Sequence, residues 1–101
     1  MIPQTPPDDC RTMPEVRAGV DALDRDLVAL LTRRFAYMRA AARIKPDRTM
    51  VRDEARKAAV IAAARAEAQR LGAPAERIAA LWDAMVESSI AYELEQWDAR
   101  G

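Results

Sequence analysis

Charged residues interrupt an apolar stripe of this sequence, and they are the first candidates for chemistry. Arg34 stands in the stripe between Leu30 and Tyr37. Because a buried guanidinium without an anion nearby is very costly, we expect Arg34 to meet an anionic group. Lys45 follows eleven residues later, which is three helical turns and nearly the same face. Two cations on one face, with small residues between them, suit a small anion.

Each candidate also has a purely structural explanation. Arg34 could form a structural salt bridge, or the stripe could open to solvent there. Lys45 could simply compensate the dipole at a helix C-terminus. Ser89 and Glu93 share a face of another apolar stripe. There the serine could bond back to a helix carbonyl, and the carboxylate could lie at the edge of the face.

The residue types that are scarce restrict the chemistry further. The sequence has no histidine and one cysteine, Cys10. This argues against classical metal sites and against Ser/His or Cys/His nucleophilic catalysis. Any reaction must then use Arg, Lys, Asp, Glu, Ser and Gln. A charged turn at Asp53, Arg56 and Lys57 adds candidates, although an acidic residue there is also a common helix cap.

Composition indicates one small globular domain. The chain has 101 residues, with 16 Lys plus Arg and 16 Asp plus Glu. This balance argues against a nucleic-acid partner, which would require a basic excess. No apolar stretch approaches the roughly 20 residues of a membrane span, and the N-terminus does not resemble a signal peptide. A lone cysteine cannot form an internal disulfide, so we expect a cytoplasmic protein.

Periodicity predicts the elements that must position these residues. Residues 1–11 carry three prolines and are predicted to be a flexible arm, followed by a helical domain over 12–101. Thr12 and Glu15 form a capping box that opens a helix. An apolar heptad seam then continues to Pro46, at Val16, Val20, Leu23, Leu27, Leu30, Tyr37, Ala41 and Ile44. A helix of about 45 Å cannot fold back on a core of its own in so short a chain, so it needs a partner.

Two further helices are predicted, and no segment has the period-two pattern of a strand. The second helix covers about 53–71, is rich in alanine, and stops at Gly72. The third covers about 74–97. Its predicted inward face consists of Ile78, Leu81, Trp82, Met85, Val86, Ser89 and Glu93. The fold class is therefore predicted to be all-α, with three helices per chain and one of them very long.

These segments resemble a known family along nearly the whole chain, from about residue 12 to 97. The stretches VRAGVDALD at 16–24, LLTRR at 30–34 and ARIK at 42–45 resemble the first helix of AroQ-type chorismate mutases. MVRD at 50–53 with Arg56 resembles the family's second-helix entry, and ESSIAYE at 87–93 resembles its third-helix catalytic stretch. Asp9-Cys10 and YMRAAARIK at 37–45 are more similar to isochorismate-pyruvate lyases of salicylate synthesis, which share this structural family.

The resemblance implies an intertwined six-helix homodimer with two equivalent sites, each built from both chains. It implies that Arg17 reaches one substrate carboxylate from the partner chain, that Arg34 binds a carboxylate within the chain, and that Arg56 assists. The residues agree independently on one point. Arg17 and Arg34 are seventeen positions apart, or about 25 Å along a helix, so they cannot hold one small molecule from the same chain. Two chains with antiparallel first helices solve this.

The resemblance also implies which residues meet the rest of the substrate. Lys45 would contact the ether oxygen of the enolpyruvyl group, and Glu93 would be its second partner. Asp53 and Ser89 would orient the ring end. A pericyclic rearrangement of chorismate needs no nucleophile, metal or cofactor. It needs the dicarboxylate held folded by arginines, with positive charge where the C–O bond breaks.

Two departures from the family pattern concern the choice of reaction. Mutases of the family commonly carry Glu on the second helix to hold the ring hydroxyl, where this chain has Lys57, and many have Gln where it has Glu93. We favour a chorismate mutase, with isochorismate-pyruvate lyase as the alternative. A catalytically silent helical dimerisation module is the further alternative. A pure coiled coil, however, would place leucine at Arg34 and would not need Lys45 on the same face.

Overall fold

The structure is a computed structural model that describes residues 4–100, and within them every regular element is helical. Its α-helices are α1 (Met13–Ile44), α2 (Glu54–Arg70) and α3 (Ala75–Ala99), with short 3-10 helices at Pro7–Asp9 and Arg48–Met50. This confirms the predicted all-α class and three helices. Residues 1–3 of the predicted arm and Gly101 lie outside the described residues. Over the described range, no helix combines the length and apolarity that a bilayer crossing requires.

The described residues form two compact units, 4–34 and 35–100, with the boundary inside α1. The predicted division into an arm over 1–11 and a helical domain over 12–101 stays a prediction, and the arm contacts the start of α1. The Glu15 carboxylate accepts hydrogen bonds from the Thr12 hydroxyl at 2.9 Å, the Arg11 N–H at 3.1 Å and the Thr5 hydroxyl at 3.1 Å. The Glu15 N–H donates to Thr12 Oγ1 at 3.3 Å. The predicted capping box is thus present, and it also holds the arm.

The apolar seam of α1 is largely exposed along the chain. Leu23 is 60% exposed, and the other strongly exposed seam residues are Val16, Val20, Leu27, Leu30, Tyr37 and Ile44. Exposed apolar surface of this extent on one helix face is typical of an interaction surface. The predicted need for a partner therefore remains a prediction, and this surface is where it applies.

In the second unit, α2 packs along α3 over a small core. Val51, Val86 and Ile90 form its buried centre, with Val60 and Leu94 packed against it. Fully burying each large aliphatic side chain contributes about 1.5–3 kcal/mol. Leu81 was predicted to face inward but is 63% exposed, whereas Ile90 is buried and was not predicted. The buried face of α3 is therefore rotated from the predicted one.

Local sequence signals fix both ends of α2. The Asp53 side chain caps its start by accepting the Arg56 N–H at 2.9 Å. Gly72 stops it with a φ of 73°, a left-handed conformation that favours glycine. The Ala73 N–H then bonds the Ala68 carbonyl at 2.8 Å, which completes a Schellman motif.

Candidate active site

A buried ion pair joins two of the predicted site residues. Lys45 lies just after α1, and its Nζ is 2.7 Å from Oε2 of Glu93 on α3. The side chains are 28% and 5% exposed, respectively. A carboxylate this deeply buried requires a partner, and the ammonium supplies it. Because an ammonium has three N–H donors, Lys45 can keep this bond and still donate to a ligand oxygen.

Ser89 lies one turn before Glu93 on the buried face of α3. It is 3% exposed, and its hydroxyl donates to the Met85 carbonyl at 2.8 Å. This is the back-bonded geometry that the sequence left open as the structural explanation. With its proton committed to Met85, the hydroxyl oxygen could meet a ligand only as an acceptor. Ser89 and Glu93 thus present two acceptor groups on one helix face.

Tyr92 forms a contact between α1 and α3 that the sequence did not indicate. Its hydroxyl accepts a hydrogen bond from Arg39 Nη1 at 3.0 Å. Its ring meets Phe35 edge to face, with centroids 5.0 Å apart and an interplanar angle of 76°. Such pairs contribute about 0.5–1.5 kcal/mol beyond burial. The contact fixes the end of α1 on the segment that carries Glu93, and no local pattern could pair residues so distant in sequence.

Lys57 belongs to a charge network between the start of α2 and α3. Its Nζ lies 2.9 Å from Glu87 Oε2 and 3.4 Å from Asp83 Oδ1. Arg52 binds the same Glu87 carboxylate with two hydrogen bonds, of 2.9 and 3.1 Å. Bonding to Arg52, and then to Lys57, lowers the pKa of Glu87 to about 2, and the bond to Glu87 raises the pKa of Lys57. The Lys57 ammonium is therefore bound to carboxylates of α3.

The other predicted site residues are placed in separate parts of the chain. Asp53 and Arg56 are exposed and meet at the start of α2, where the carboxylate caps the helix. Since a carboxylate has about four acceptor positions, capping leaves it able to bind a hydroxyl. Arg17 and Arg34 belong to the first unit, with Arg17 exposed and Arg34 half-buried. Direct contact thus occurs for Lys45 with Glu93 and for Asp53 with Arg56.

Two cavities of the described residues include neither Lys45 nor Glu93 in their lining. One of about 340 Å³ is lined by Arg39, Ala42, Arg43, Gln96, Ala99 and Arg100. The other, about 520 Å³, lies in the first unit between the arm and α1, with mainly apolar walls that include Val16, Val20 and Leu23. Within residues 4–100, no cluster of three or more His, Cys, Asp or Glu side chains could hold a metal ion. We place the candidate site at the Lys45–Glu93 ion pair and not at a cavity, because a reaction depends on charged groups, which this pair supplies.

Comparison with known proteins adds two findings. The sequence profile described as chorismate mutase type II matches residues 16–94. The chain is also similar to the isochorismate pyruvate lyase of Pseudomonas aeruginosa, with 29% identity over 91 residues. That alignment covers 90% of each chain. Lys45, Asp53, Arg56, Ser89 and Glu93 all lie inside the matched range.

Proposed function

The chain belongs to the chorismate mutase type II family, and we propose that it is a cofactor-free pericyclic enzyme that splits isochorismate into salicylate and pyruvate. The observation that carries this proposal is the Lys45–Glu93 pair, with an Nζ–Oε2 distance of 2.7 Å. It supports the proposal because it brings together a cation and a second polar group, which binding of an ether oxygen would require. The wider class, an enzyme of the chorismate mutase type, follows from the family.

In the proposed step, the ether C–O bond of isochorismate breaks. A ring hydrogen moves to the methylene carbon of the enolpyruvyl group, which becomes the methyl group of pyruvate, and the ring becomes aromatic. Negative charge grows on the ether oxygen as the bond lengthens. Lys45 donates to that oxygen, so its interaction is stronger in the transition state than in the ground state and accelerates the reaction.

Arginines supply the carboxylate contacts of the proposal. We assign Arg34 to one substrate carboxylate, Arg17 of a second chain to the other, and Arg56 to an assisting position. Bidentate guanidinium–carboxylate pairs fix orientation as well as affinity, which favours the folded substrate conformation that the reaction needs. Asp53 and Ser89 are assigned to the ring end. The exposed seam of α1 supports a homodimer as the assembly that brings Arg17 to the site.

The ion pairs that Lys57 forms with α3 favour isochorismate over chorismate as the substrate. A chorismate mutase of this family commonly holds the ring hydroxyl with Glu at this position. Here an ammonium is bound to Glu87 and Asp83. Isochorismate carries its hydroxyl elsewhere on the ring, and the relative from Pseudomonas aeruginosa is an isochorismate pyruvate lyase. Isochorismate is therefore the proposed substrate, whereas the sequence alone favoured chorismate. The rearrangement of chorismate to prephenate is the second candidate, which the family's description favours.

Separate incubation with isochorismate and with chorismate tests the proposal. We expect salicylate and pyruvate in equal amounts from isochorismate, and slower formation of prephenate from chorismate. Lys45→Ala in the Glu93→Gln background, which leaves no buried carboxylate unpaired, should lower product formation about 100-fold or more. Replacement of the exposed Arg77 by Ala, the matched control, should not. Prephenate as the principal product would favour the second candidate. Absence of every product, with a folded protein, would favour the dimerisation module.

A further inference from the structure

The end of α1 has a carbonyl that the helix cannot satisfy. The last carbonyls of a helix have no partner inside it. The Lys45 N–H bonds the Ala41 carbonyl at 2.9 Å, and the next carbonyl, that of Ala42, would need the N–H of residue 46. Residue 46 is a proline and has none. Ala42 is only 3% exposed, so a donor from elsewhere in the chain is required there.

Arg100, which follows α3, supplies that donor. Its Nη1 donates to the Ala42 carbonyl at 2.9 Å and to the Lys45 carbonyl at 2.8 Å. Its guanidinium carbon lies 3.6 Å from the centre of the Trp97 ring, and this stacking fixes the guanidinium plane. The positive charge also compensates the negative end of the α1 dipole. One side chain therefore replaces the missing N–H of Pro46 and holds the main chain of Lys45.

A second arginine ties the following segment to the same end of α3. Arg48 binds Asp98 with two hydrogen bonds, of 2.7 and 3.1 Å. The Arg100 and Arg48 contacts therefore attach the chain on both sides of Lys45 to the end of α3. Its main chain is held by Arg100, and its ammonium by Glu93. If the Arg100 contact were lost, the end of α1 could move, and this movement would carry Lys45 Nζ away from Glu93.

We propose that Arg100 is a positioning residue for Lys45, which it serves through the Ala42 and Lys45 carbonyls. The inference rests on the proposed function, in which Lys45 meets the ether oxygen. Removing the Arg100 guanidinium lowers turnover more than it changes substrate binding, because the substrate carboxylates are assigned to other arginines. A shift of Lys45 by a fraction of an ångström is enough to weaken a bond that matters in the transition state.

The test compares Arg100→Ala, Arg100→Lys and Arg77→Ala, the last being an exposed arginine near the start of α3. We expect Arg100→Ala to lower kcat about tenfold, on the scale of small misplacements of a catalytic group, with KM changed less than about twofold. Arg100→Lys should recover part of the loss, because an ammonium can still donate to the carbonyls. Arg77→Ala should match the wild type. Unchanged kcat in Arg100→Ala, or equal losses in all three variants, would overturn the proposal.

Amide hydrogen exchange supplies a readout that does not need a substrate. Arg100→Ala should speed exchange in peptides over residues 42–50 and leave those over 58–68 unchanged. Unchanged exchange over 42–50 would overturn the proposal whatever the kinetics. If the wild type converts neither chorismate nor isochorismate, the proposed function fails, and the exchange comparison still decides whether Arg100 holds Lys45.

Discussion

A carboxyl group beside a breaking C–O bond has opposite effects in its two protonation states. The ionised form of Glu93 accepts from Lys45 and opposes negative charge on the ether oxygen. The protonated form can donate a hydrogen bond to that oxygen. The Glu93 side chain is 5% exposed, and its Oε2 lies 2.7 Å from Lys45 Nζ. At the scale of single residues, whether this side chain can donate a hydrogen bond is therefore the main variable.

We predict that Glu93→Gln keeps or raises turnover. The amide can donate a hydrogen bond to the ether oxygen without a negative charge that opposes the charge growing there. The measurement is kcat of both proteins at neutral pH. Glu95→Gln, at an exposed position two residues away, is the control. A large loss of kcat in Glu93→Gln, with none in Glu95→Gln, would contradict this role.

We predict that Lys45 matters far more for turnover than for folding, provided that Glu93 is neutralised. Lys45→Ala alone leaves a buried carboxylate without its cation, which destabilises the fold as well. The informative comparison is therefore Lys45→Ala in the Glu93→Gln background. We expect a loss of about 100-fold or more in kcat, the size found for removal of one transition-state donor. The unfolding temperature should change little. Near-normal turnover would leave Lys45 as a helix-end charge.

At the scale of elements, the charge network of Arg52, Lys57 and Glu87 links the start of α2 to α3. The carboxylate accepts from both cations, which is why the pKa of Glu87 falls from its ordinary value of 4.5 to about 2. A group whose pKa is lowered by folding contributes stability above its unfolded pKa, and that contribution is lost as pH falls through the folded value.

We predict that Glu87→Gln lowers stability at neutral pH and that its difference from the wild type shrinks below pH 4.5, vanishing near pH 2. The measurement is urea unfolding of both proteins across this range at one fixed protein concentration. Glu95→Gln controls for loss of an exposed carboxylate on the same helix. A difference that stays constant between neutral pH and pH 2 would show that Glu87 does not act through its ionised form.

Elements whose ends depend on neighbouring residues were predictable from the sequence. The Thr12–Glu15 capping box, the Asp53 cap and the Gly72 stop each need residues within a few positions. The long-range pairs were not predictable, because residues far apart meet only once the helices have packed. The Lys57–Glu87 bond and the exposure of Leu81 both depend on the rotation of α3 about its axis. One residue of rotation is about 100°, enough to exchange an inward position for an outward one.

The candidate site was predictable only through its resemblance to a family. That resemblance assigned Lys45 and Glu93 to the same ether oxygen, although the two residues are 48 positions apart. Periodicity alone gave each a place on a separate helix face. It also left open the back-bonded state of Ser89, which the structure contains. No sequence pattern indicated Arg100, because its role depends on a long-range contact with the end of α1, where Pro46 lacks an N–H.

At the scale of the whole molecule, the exposed seam of α1 and the separation of Arg17 from Arg34 lead to one expectation. We predict an obligate dimer in which each site borrows Arg17 from the partner chain. Sedimentation at micromolar concentration should give a dimer, since a single chain leaves Leu23, Leu27 and Leu30 more than half exposed. A stable and fully active monomer would contradict this.

Hybrid dimers test the shared sites directly. Arg17→Ala and Arg34→Ala should each be inactive alone. Refolded together in equal amounts, half of the dimers should be hybrids with one intact site of two, giving about one quarter of wild-type activity. Each variant refolded with itself is the control and should remain inactive. No recovery in the mixture would mean that both arginines act within one chain.

The Lys45–Glu93 pair also sets how strongly a charged substrate is attracted from a distance. Because the two charges cancel, a dianionic substrate is attracted only by the arginines assigned to it. Glu93→Gln would raise the net charge of the site by one unit, and the added attraction acts over roughly a Debye length, about 8–10 Å near physiological ionic strength. The variant should therefore bind the dianion more tightly in dilute buffer, and added salt should erase the difference. The carboxylate that tunes the reaction thus also reduces the dependence of substrate capture on ionic strength.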